Sequence, residues 1–164
     1  MIRPEAESDI PAVREVNAAA FGRPDEARLV DALRGRALPF VALVAEEIEI
    51  IGNIVFTPVR IENEARHAMG LAPMAVRPDA QRRGVGSALV RAGLERCQAL
   101  GACAVVVVGH PAYYPRFGFA PAIRFGLRCE YDVPEEAFMA LELEPGVLGH
   151  ARRTVRYHPA FAEL

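Results

Sequence analysis

The feature that most limits the fold of this chain is a run of apolar residues from Ala102 to Val108, four of which are consecutive valines. The content of β-branched residues predicts a strand. The absence of polar alternation is typical of a strand that is buried on both faces. The run is also far too short to cross a bilayer. It therefore predicts the central strand of an α/β domain.

The segments before this run predict a mixed sheet. Three of them have the content and length of strands, and short turns join them into an antiparallel meander: 40–45, 50–61 and 68–76. A helix is predicted over 83–100, with Gly101 as its C-terminal stop. Strand, helix and buried strand make a βαβ unit, so one parallel strand pair is expected in a largely antiparallel sheet.

Further helices and strands complete one predicted domain over residues 1–164. Helices are expected from Ile10 to near Gly22 and at 25–33, with Asp9 as the N-terminal cap of the first. Strands are expected at 138–143 and 153–157. In the helix over 83–100, residues at helical spacing predict an apolar face: Val85, Ala88, Leu89, Ala92, Ala99 and Leu100.

Composition argues against several classes of protein. The formal net charge is −2, which gives no overall basic field for nucleic acid. The three cysteines are an odd number without a C-x-x-C pair, and the histidines show no paired metal-ligand spacing. The N-terminus lacks the apolar run of a secretory signal. We therefore expect a cytoplasmic protein with no metal, no membrane partner and no nucleic-acid partner.

A short glycine-containing loop between the strand over 68–76 and the helix is the strongest functional signal. It reads Gln81, Arg82, Arg83, Gly84, Val85, Gly86, Ser87. The first turn of a helix has N–H groups without partners and a partial positive charge, which together favour anions. Glycines allow phosphate oxygens to approach the backbone closely. Two arginines at a helix N-terminus oppose the helix dipole unless an anion lies between them.

Two familiar phosphate-binding loops do not fit this segment. The dinucleotide fingerprint G-x-G-x-x-G requires glycine at position 89, which is Leu89, and the G-K-[ST] of the Walker loop is missing. The loop predicts a diphosphate site of another kind.

With these residues in place, the chain resembles the GNAT superfamily of N-acetyltransferases. The segment from Gln81 to Gly86 satisfies the superfamily's cofactor motif [QR]-x-x-G-x-[GA], and Tyr114 to Phe119 resembles its Tyr-x-x-x-Gly-Phe segment. The resemblance implies a three-layer α/β fold, with a central mixed sheet, a splayed parallel strand pair and flanking helices. It also implies an acetyl-CoA-dependent transferase that acetylates a primary amine.

The resemblance also assigns residues to the coenzyme. The backbone of the strand end would pair with pantetheine, through Met74, Ala75 and Val76, and the backbone of Gln81 through Ser87 would bind the diphosphate. Many members have an asparagine where this chain has Val107. Contacts with the coenzyme after the buried strand are therefore expected from the backbone of Gly109 and from Tyr113, Arg116 or Phe117.

In the transfer that the resemblance implies, an amine attacks a thioester and a thiolate leaves, which requires a neutral amine, a stabilised oxyanion and a proton for the sulfur. Tyr114 is the matched proton donor, and Tyr113 is an adjacent competitor. The general base stays open between His110, bulk water and four glutamates: Glu46, Glu47, Glu62 and Glu64. Cys103 is expected to be a small buried residue rather than an acyl carrier.

Other interpretations remain at this stage. A non-catalytic acyl-CoA sensor would keep the loop but would not need Tyr114. An acyltransferase that uses carrier protein or a hydroxyl acceptor, or an unrelated nucleotide-binding protein, is less well supported. The acceptor is expected to be a small-molecule or peptide amine, and a homodimer is left open.

Overall fold

A computed structural model describes residues 1–164 as three helices and nine strands joined by short 3₁₀ turns. The helices are α1 (Ile10–Phe21), α2 (Asp25–Leu33) and α3 (Val85–Ala99). The strands are β1 (Ile2–Pro4), β2 (Val41–Glu46), β3 (Ile50–Ile61), β4 (Ala68–Val76), β5 (Ala104–Val108), β6 (Ala120–Pro121), β7 (Leu127–Cys129), β8 (Phe138–Glu142) and β9 (Arg153–Arg156).

The main sheet has the order β1-β2-β3-β4-β5-β8-β6. Its neighbours are antiparallel except for β4 and β5, which are parallel. The predicted meander of β2, β3 and β4 and the predicted mixed sheet are therefore confirmed. At the far end of β3, β9 pairs antiparallel with Arg60 and Ile61, and β7 pairs parallel with β9.

Helices cover the two faces of the sheet. On one face, Leu89 and Cys97 of α3 pack with Phe56, Leu71 and Val105. The other face packs against α1 and α2 in a separate cluster: Val13, Val16, Val30, Val44, Val55 and Ala75. β5 contributes to the α3 face and also, through Val106, to a cluster on the opposite face, as expected for a strand buried on both sides.

The apolar face predicted for α3 is wrong in part. Its buried positions are Leu89, Val90, Gly93 and Cys97, whereas Ala88, Ala99 and Leu100 are exposed. The reason is the close approach of Gly93 to Phe56, because a Cβ at position 93 would lie 2.0 Å from Phe56 Cε1. Hydrophobicity alone does not mark a glycine as the contact point, so the predicted face omits Gly93 and includes three exposed residues.

Asp9 does not cap α1 through its side chain. Its carboxylate instead accepts two hydrogen bonds from the Arg3 guanidinium, at 2.7 and 2.9 Å, and one from the Ala6 N–H at 2.7 Å. The bond from Arg3 holds the pKa of Asp9 below its usual range. Arg3 lies in β1 and also bonds Glu46, so this buried carboxylate ties the first strand to the start of α1.

We expect Asp9→Asn to lower the free energy of unfolding at pH 7 by about 2 kcal/mol, the usual scale for a charged hydrogen bond. Because the folded pKa of Asp9 is lowered, its stabilisation is present above the unfolded pKa of about 3.9 and is lost as pH falls through the folded value. Urea unfolding across this range should show the two proteins converging in acid. A difference that stays constant with pH would contradict this account.

Candidate active site

β4 and β5 separate halfway along β4. Their ladder covers only Ala68 to Leu71 of β4, opposite Ala104 to Val107 of β5. Beyond it, β4 continues to Val76 in register with β3 alone. The register with β3 shifts where Ala72 and Pro73 oppose a single residue, which is a β-bulge that bends the strand. The edge of β4 that faces β5 therefore has no strand partner from Ala72 to Val76.

The loop after β4 has the backbone of an anion site. Arg82 and Gly84 both have left-handed φ angles, of 64° and 81°. Alternating φ signs turn successive N–H groups toward one point. Gly84 caps α3, so the N–H groups of Val85, Gly86 and Ser87 lie in the first turn and have no partner within the helix. These groups can donate hydrogen bonds to the oxygens of a diphosphate.

The two arginines of the loop differ in whether they have an ion-pair partner. Arg83 donates to Glu47 at 2.6 Å, while Arg82 forms no ion pair and is exposed. Gln81 Nε2 donates to the carbonyl of Val76 at 3.0 Å and so ties the loop to the end of β4. Of the two expected arginines, only Arg82 is left with its charge free for an anion.

The adjacent tyrosines, Tyr113 and Tyr114, point to different places. The Tyr113 hydroxyl is 3.0 Å from Ser87 Oγ, at the N-terminus of α3. It also lies near Gly86, because a Cβ there would be 3.4 Å from the hydroxyl oxygen and 3.5 Å from Met74 Cε. Tyr113 therefore reaches across the opening between β4 and β5, here called the cleft, to the loop from Gln81 to Ser87. The sequence could not show this contact, because the two residues are 26 positions apart.

Tyr114 is buried beneath this cleft. Its ring lies edge-on to Tyr113 at 5.0 Å and to Phe119 at 5.7 Å. Gly109, at the end of β5, lets the ring approach, since a Cβ at position 109 would lie 2.3 Å from Tyr114 Cε2. Burial, followed by the neighbouring Tyr113, raises the pKa of Tyr114 to about 12. Its hydroxyl therefore keeps its proton at neutral pH.

Phe117 lies on the same 3₁₀ turn as Tyr114 and packs against Tyr113, with ring centroids 5.3 Å apart. The Arg91 guanidinium of α3 lies 5.1 Å from the Phe117 ring centroid. Phe117 is half-buried and packs against the α3-side core. It therefore supports the ring of Tyr113 from the side of α3.

The side chains considered as general bases are either exposed or already bonded to other groups. His110 is exposed, and its carbonyl accepts the N–H groups of Tyr113 and Tyr114. The four glutamates are engaged with other groups: Glu46 with Arg3, Glu47 with Arg83, Glu62 with Thr154 and Glu64 with Arg66. Burial raises the pKa of the Cys103 thiol, which disfavours a nucleophilic thiolate.

Two general features of the chain bear on the kind of site. No three or more His, Cys, Asp or Glu side chains are grouped in a way that could hold a metal ion. None of the helices has the length and apolar content to span a membrane.

Comparison with known protein sequences gives one consistent family. Residues 1–122 match a family model described as an acetyltransferase (GNAT) domain. The chain is 35% identical over 163 residues to the uncharacterized N-acetyltransferase YhbS of Escherichia coli K12, with 98% of each chain covered. It is 39% identical over 157 residues to the uncharacterized N-acetyltransferase YjhQ of the same strain, covering 88% of this chain and 87% of that protein.

Solved structures agree with the sequence matches. The crystal structure of the GNAT family N-acetyltransferase YhbS from Escherichia coli in complex with CoA superposes with a TM-score of 0.92 and 34% identity, covering 99% of this chain and 91% of the other. A GNAT family acetyltransferase from Brucella melitensis in complex with acetyl-CoA gives a TM-score of 0.81 and 34% identity, covering 98% and 97%.

Proposed function

Because this chain belongs to the GNAT acetyltransferase family, we propose that it transfers an acetyl group from acetyl-CoA to the nitrogen of a primary amine, with Tyr114 as the general acid. The observation that carries the proposal is the cleft between β4 and β5. It combines a free strand edge, a helix N-terminus with unpartnered N–H groups, and a buried protonated tyrosine. We also propose that residues 1–164 act as one domain.

The residues of the cleft fit coenzyme A. The backbone of Met74, Ala75 and Val76 would hold the pantetheine arm as an added strand would be held. The N–H groups of the loop and the first turn of α3 would hold the diphosphate. The free charge of Arg82 adds to this attraction. Phe117 would border the coenzyme through its contact with Tyr113.

The positions of the two tyrosines favour Tyr114 over Tyr113 as the acid. Tyr113 places its hydroxyl on Ser87, at the end of the cleft that suits the diphosphate. Tyr114 lies deeper, against Gly109 at the end of β5. Acetyl-CoA supplies an activated thioester, and the role of Tyr114 is to hold a proton for the departing sulfur.

No side chain of this cleft is placed as a dedicated base. His110 is exposed, and the nearby glutamates bond other groups. The acceptor ammonium would therefore lose its proton to water before its nitrogen attacks the thioester. The protein would then contribute to catalysis in two ways, by positioning the amine and by protonating the sulfur.

Two measurements test the proposal in sequence. Coenzyme A should raise the melting temperature in proportion to the logarithm of its concentration, because it binds the folded state alone. A panel of primary amines should then cause acetyl-CoA to release free thiol at a rate that saturates with amine. Stabilisation by coenzyme A without amine-dependent release would support the sensor interpretation instead.

The pH dependence of the rate follows from the protonation of Tyr114. With its pKa raised to about 12, Tyr114 stays in its acid form across the usual assay range. We expect kcat/KM for the amine to rise about tenfold per pH unit until the acceptor has lost its proton, with no decline below about pH 10. A rate profile at saturating acetyl-CoA checks this expectation. A falling limb near neutral pH would point to an acid other than Tyr114.

A further inference from the structure

The face of the sheet opposite α3 carries a cavity of about 330 Å³ beside β7 and the start of β8. Leu127 and Phe138 are buried in its lining, and Tyr131 and Val133 are half-buried there. Small-molecule sites measure about 300 to 1,000 Å³ and have mostly apolar walls. The cavity therefore has the size and lining of a site for a small ligand.

The cavity lies one strand away from the place where β4 and β5 separate. Phe138 in its wall is directly opposite Val108 in the ladder of β5 and β8, and opposed residues have Cβ atoms about 5 Å apart. Val108 is 42% exposed and lies on the face opposite α3, because Val106 belongs to the cluster on that face and side chains alternate. The next residue, Gly109, contacts Tyr114.

Tyr131 connects the cavity to β4. It lines the cavity, and its ring centroid is 6.2 Å from that of Tyr157. Tyr157 in turn packs on β4, since a Cβ at Gly70 would lie 3.1 Å from Tyr157 Cε2. Both tyrosines and Ala72, from the bulge of β4, pack against the same small apolar cluster. Tyr131 thus lies between the cavity and the apolar cluster that Ala72 also contacts.

The rim of the cavity has an excess of negative charge. Asp132, Glu135 and Arg128 line it and are exposed, and none of them takes part in an ion pair within the chain. Two carboxylates against one guanidinium attract a cation toward an apolar interior. An organic ammonium ion with an apolar body matches both properties.

We propose that this cavity binds the acceptor, and that the acceptor is a small primary monoamine with an apolar body. The inference rests on the proposed acetyltransferase function and names its substrate class. The body would fill the cavity, and the nitrogen would point past Tyr131 toward Val108 and Tyr114. As the C–N bond forms and the thioester C–S bond breaks, the nitrogen loses one proton and the sulfur gains one.

Benzylamine is a suitable probe, and Val133→Trp is a suitable block, because Val133 is half-buried in the cavity wall. The variant should raise the KM for benzylamine at least about tenfold and leave the affinity for coenzyme A unchanged. The matched control is Ile48→Trp, at a position that is 99% exposed in the turn between β2 and β3; this control should leave both values unchanged.

The charged rim has its own test. The double variant Asp132→Asn, Glu135→Gln should raise the KM for benzylamine a few-fold at low ionic strength, and the difference should disappear in roughly 1 M salt, where such attraction is screened. A salt-independent effect of the double variant would contradict the proposed role of these carboxylates.

Cys129 gives a readout that does not depend on activity. It lines the cavity and is half-buried, whereas Cys97 and Cys103 are buried. Mass spectrometry should show that benzylamine slows the modification of Cys129 by benzyl methanethiosulfonate. Complete modification should block the formation of N-acetylbenzylamine, and Cys129→Ala should resist this inactivation.

The outcomes separate this inference from the proposed function. If amines are acetylated but Val133→Trp leaves the KM for benzylamine unchanged, or if benzylamine does not protect Cys129, the cavity is not the acceptor site and the acetyltransferase proposal stands. If no amine is acetylated although coenzyme A binds, the proposed function fails. Preference for the diamine putrescine over benzylamine would also overturn the proposed substrate class.

Discussion

Replacement of Tyr114 by phenylalanine is expected to lower kcat about a hundredfold, the scale on which a positioned general acid acts, while the affinity for coenzyme A stays unchanged. The variant removes only the hydroxyl that holds the proton. The ring stays packed against Phe119 and above Gly109, so the fold should not change. Steady-state kinetics at saturating acetyl-CoA and calorimetric titration with coenzyme A measure the two quantities separately.

Tyr113→Phe is the matched control, because it makes the same chemical change one residue away. It removes the hydrogen bond to Ser87, and a neutral hydrogen bond contributes about 1 kcal/mol. We therefore expect the free energy of unfolding to fall by about 1 kcal/mol, with kcat largely preserved. A large loss of kcat in Tyr113→Phe together with a normal Tyr114→Phe would exchange the roles of the two tyrosines.

The second large effect concerns stability, at the contact between α3 and the sheet. A methyl group at position 93 would overlap the ring of Phe56, which is completely buried. Overpacking of this kind destabilises the fold by about 3 kcal/mol, and the higher helix propensity of alanine offsets about 1 kcal/mol of that loss. Gly93→Ala should therefore lower the free energy of unfolding by about 2 kcal/mol in urea titrations.

Two further variants identify the cause of that loss. Gly86→Ala makes the same change on α3, but its methyl would meet only ordinary contacts with Tyr113 and Met74, at 3.4 Å or more, so the stability should not fall. Adding Phe56→Leu to Gly93→Ala should cost less than the sum of the two single variants, because the smaller side chain makes room. Strict additivity would show that the overlap is relieved elsewhere.

Much of the fold follows from local pattern. β3 and β4 and the helix α2 begin and end where the sequence predicts them, because turn residues and apolar runs mark their ends. The strands that the sequence did not predict are β1, β6 and β7, of two or three residues each. Segments this short have no period to detect, and long-range pairing alone makes them strands.

The candidate site also has one part that the local sequence predicts and another that it does not. The loop from Gln81 to Ser87 can be predicted as an anion site because the strand, the glycines and the helix are contiguous in the sequence. The bond between Tyr113 and Ser87 and the contact of Gly109 with Tyr114 depend on how β5 returns beside α3, which local spacing does not determine. The ion pair of Arg83 with Glu47 likewise joins distant turns. Of the two arginines that the sequence predicts to face an anion, it leaves only Arg82 unpaired.

Coenzyme binding at the loop from Gln81 to Ser87 is tested most directly by calorimetric titration of coenzyme A into the wild type and Gly86→Val. A side chain at Gly86 would project between Tyr113 and Met74, where the proposed path of the coenzyme runs. We predict one site per chain in the wild type and a loss of affinity of at least about tenfold in the variant. Equal affinities, or no binding to the wild type, would contradict the account.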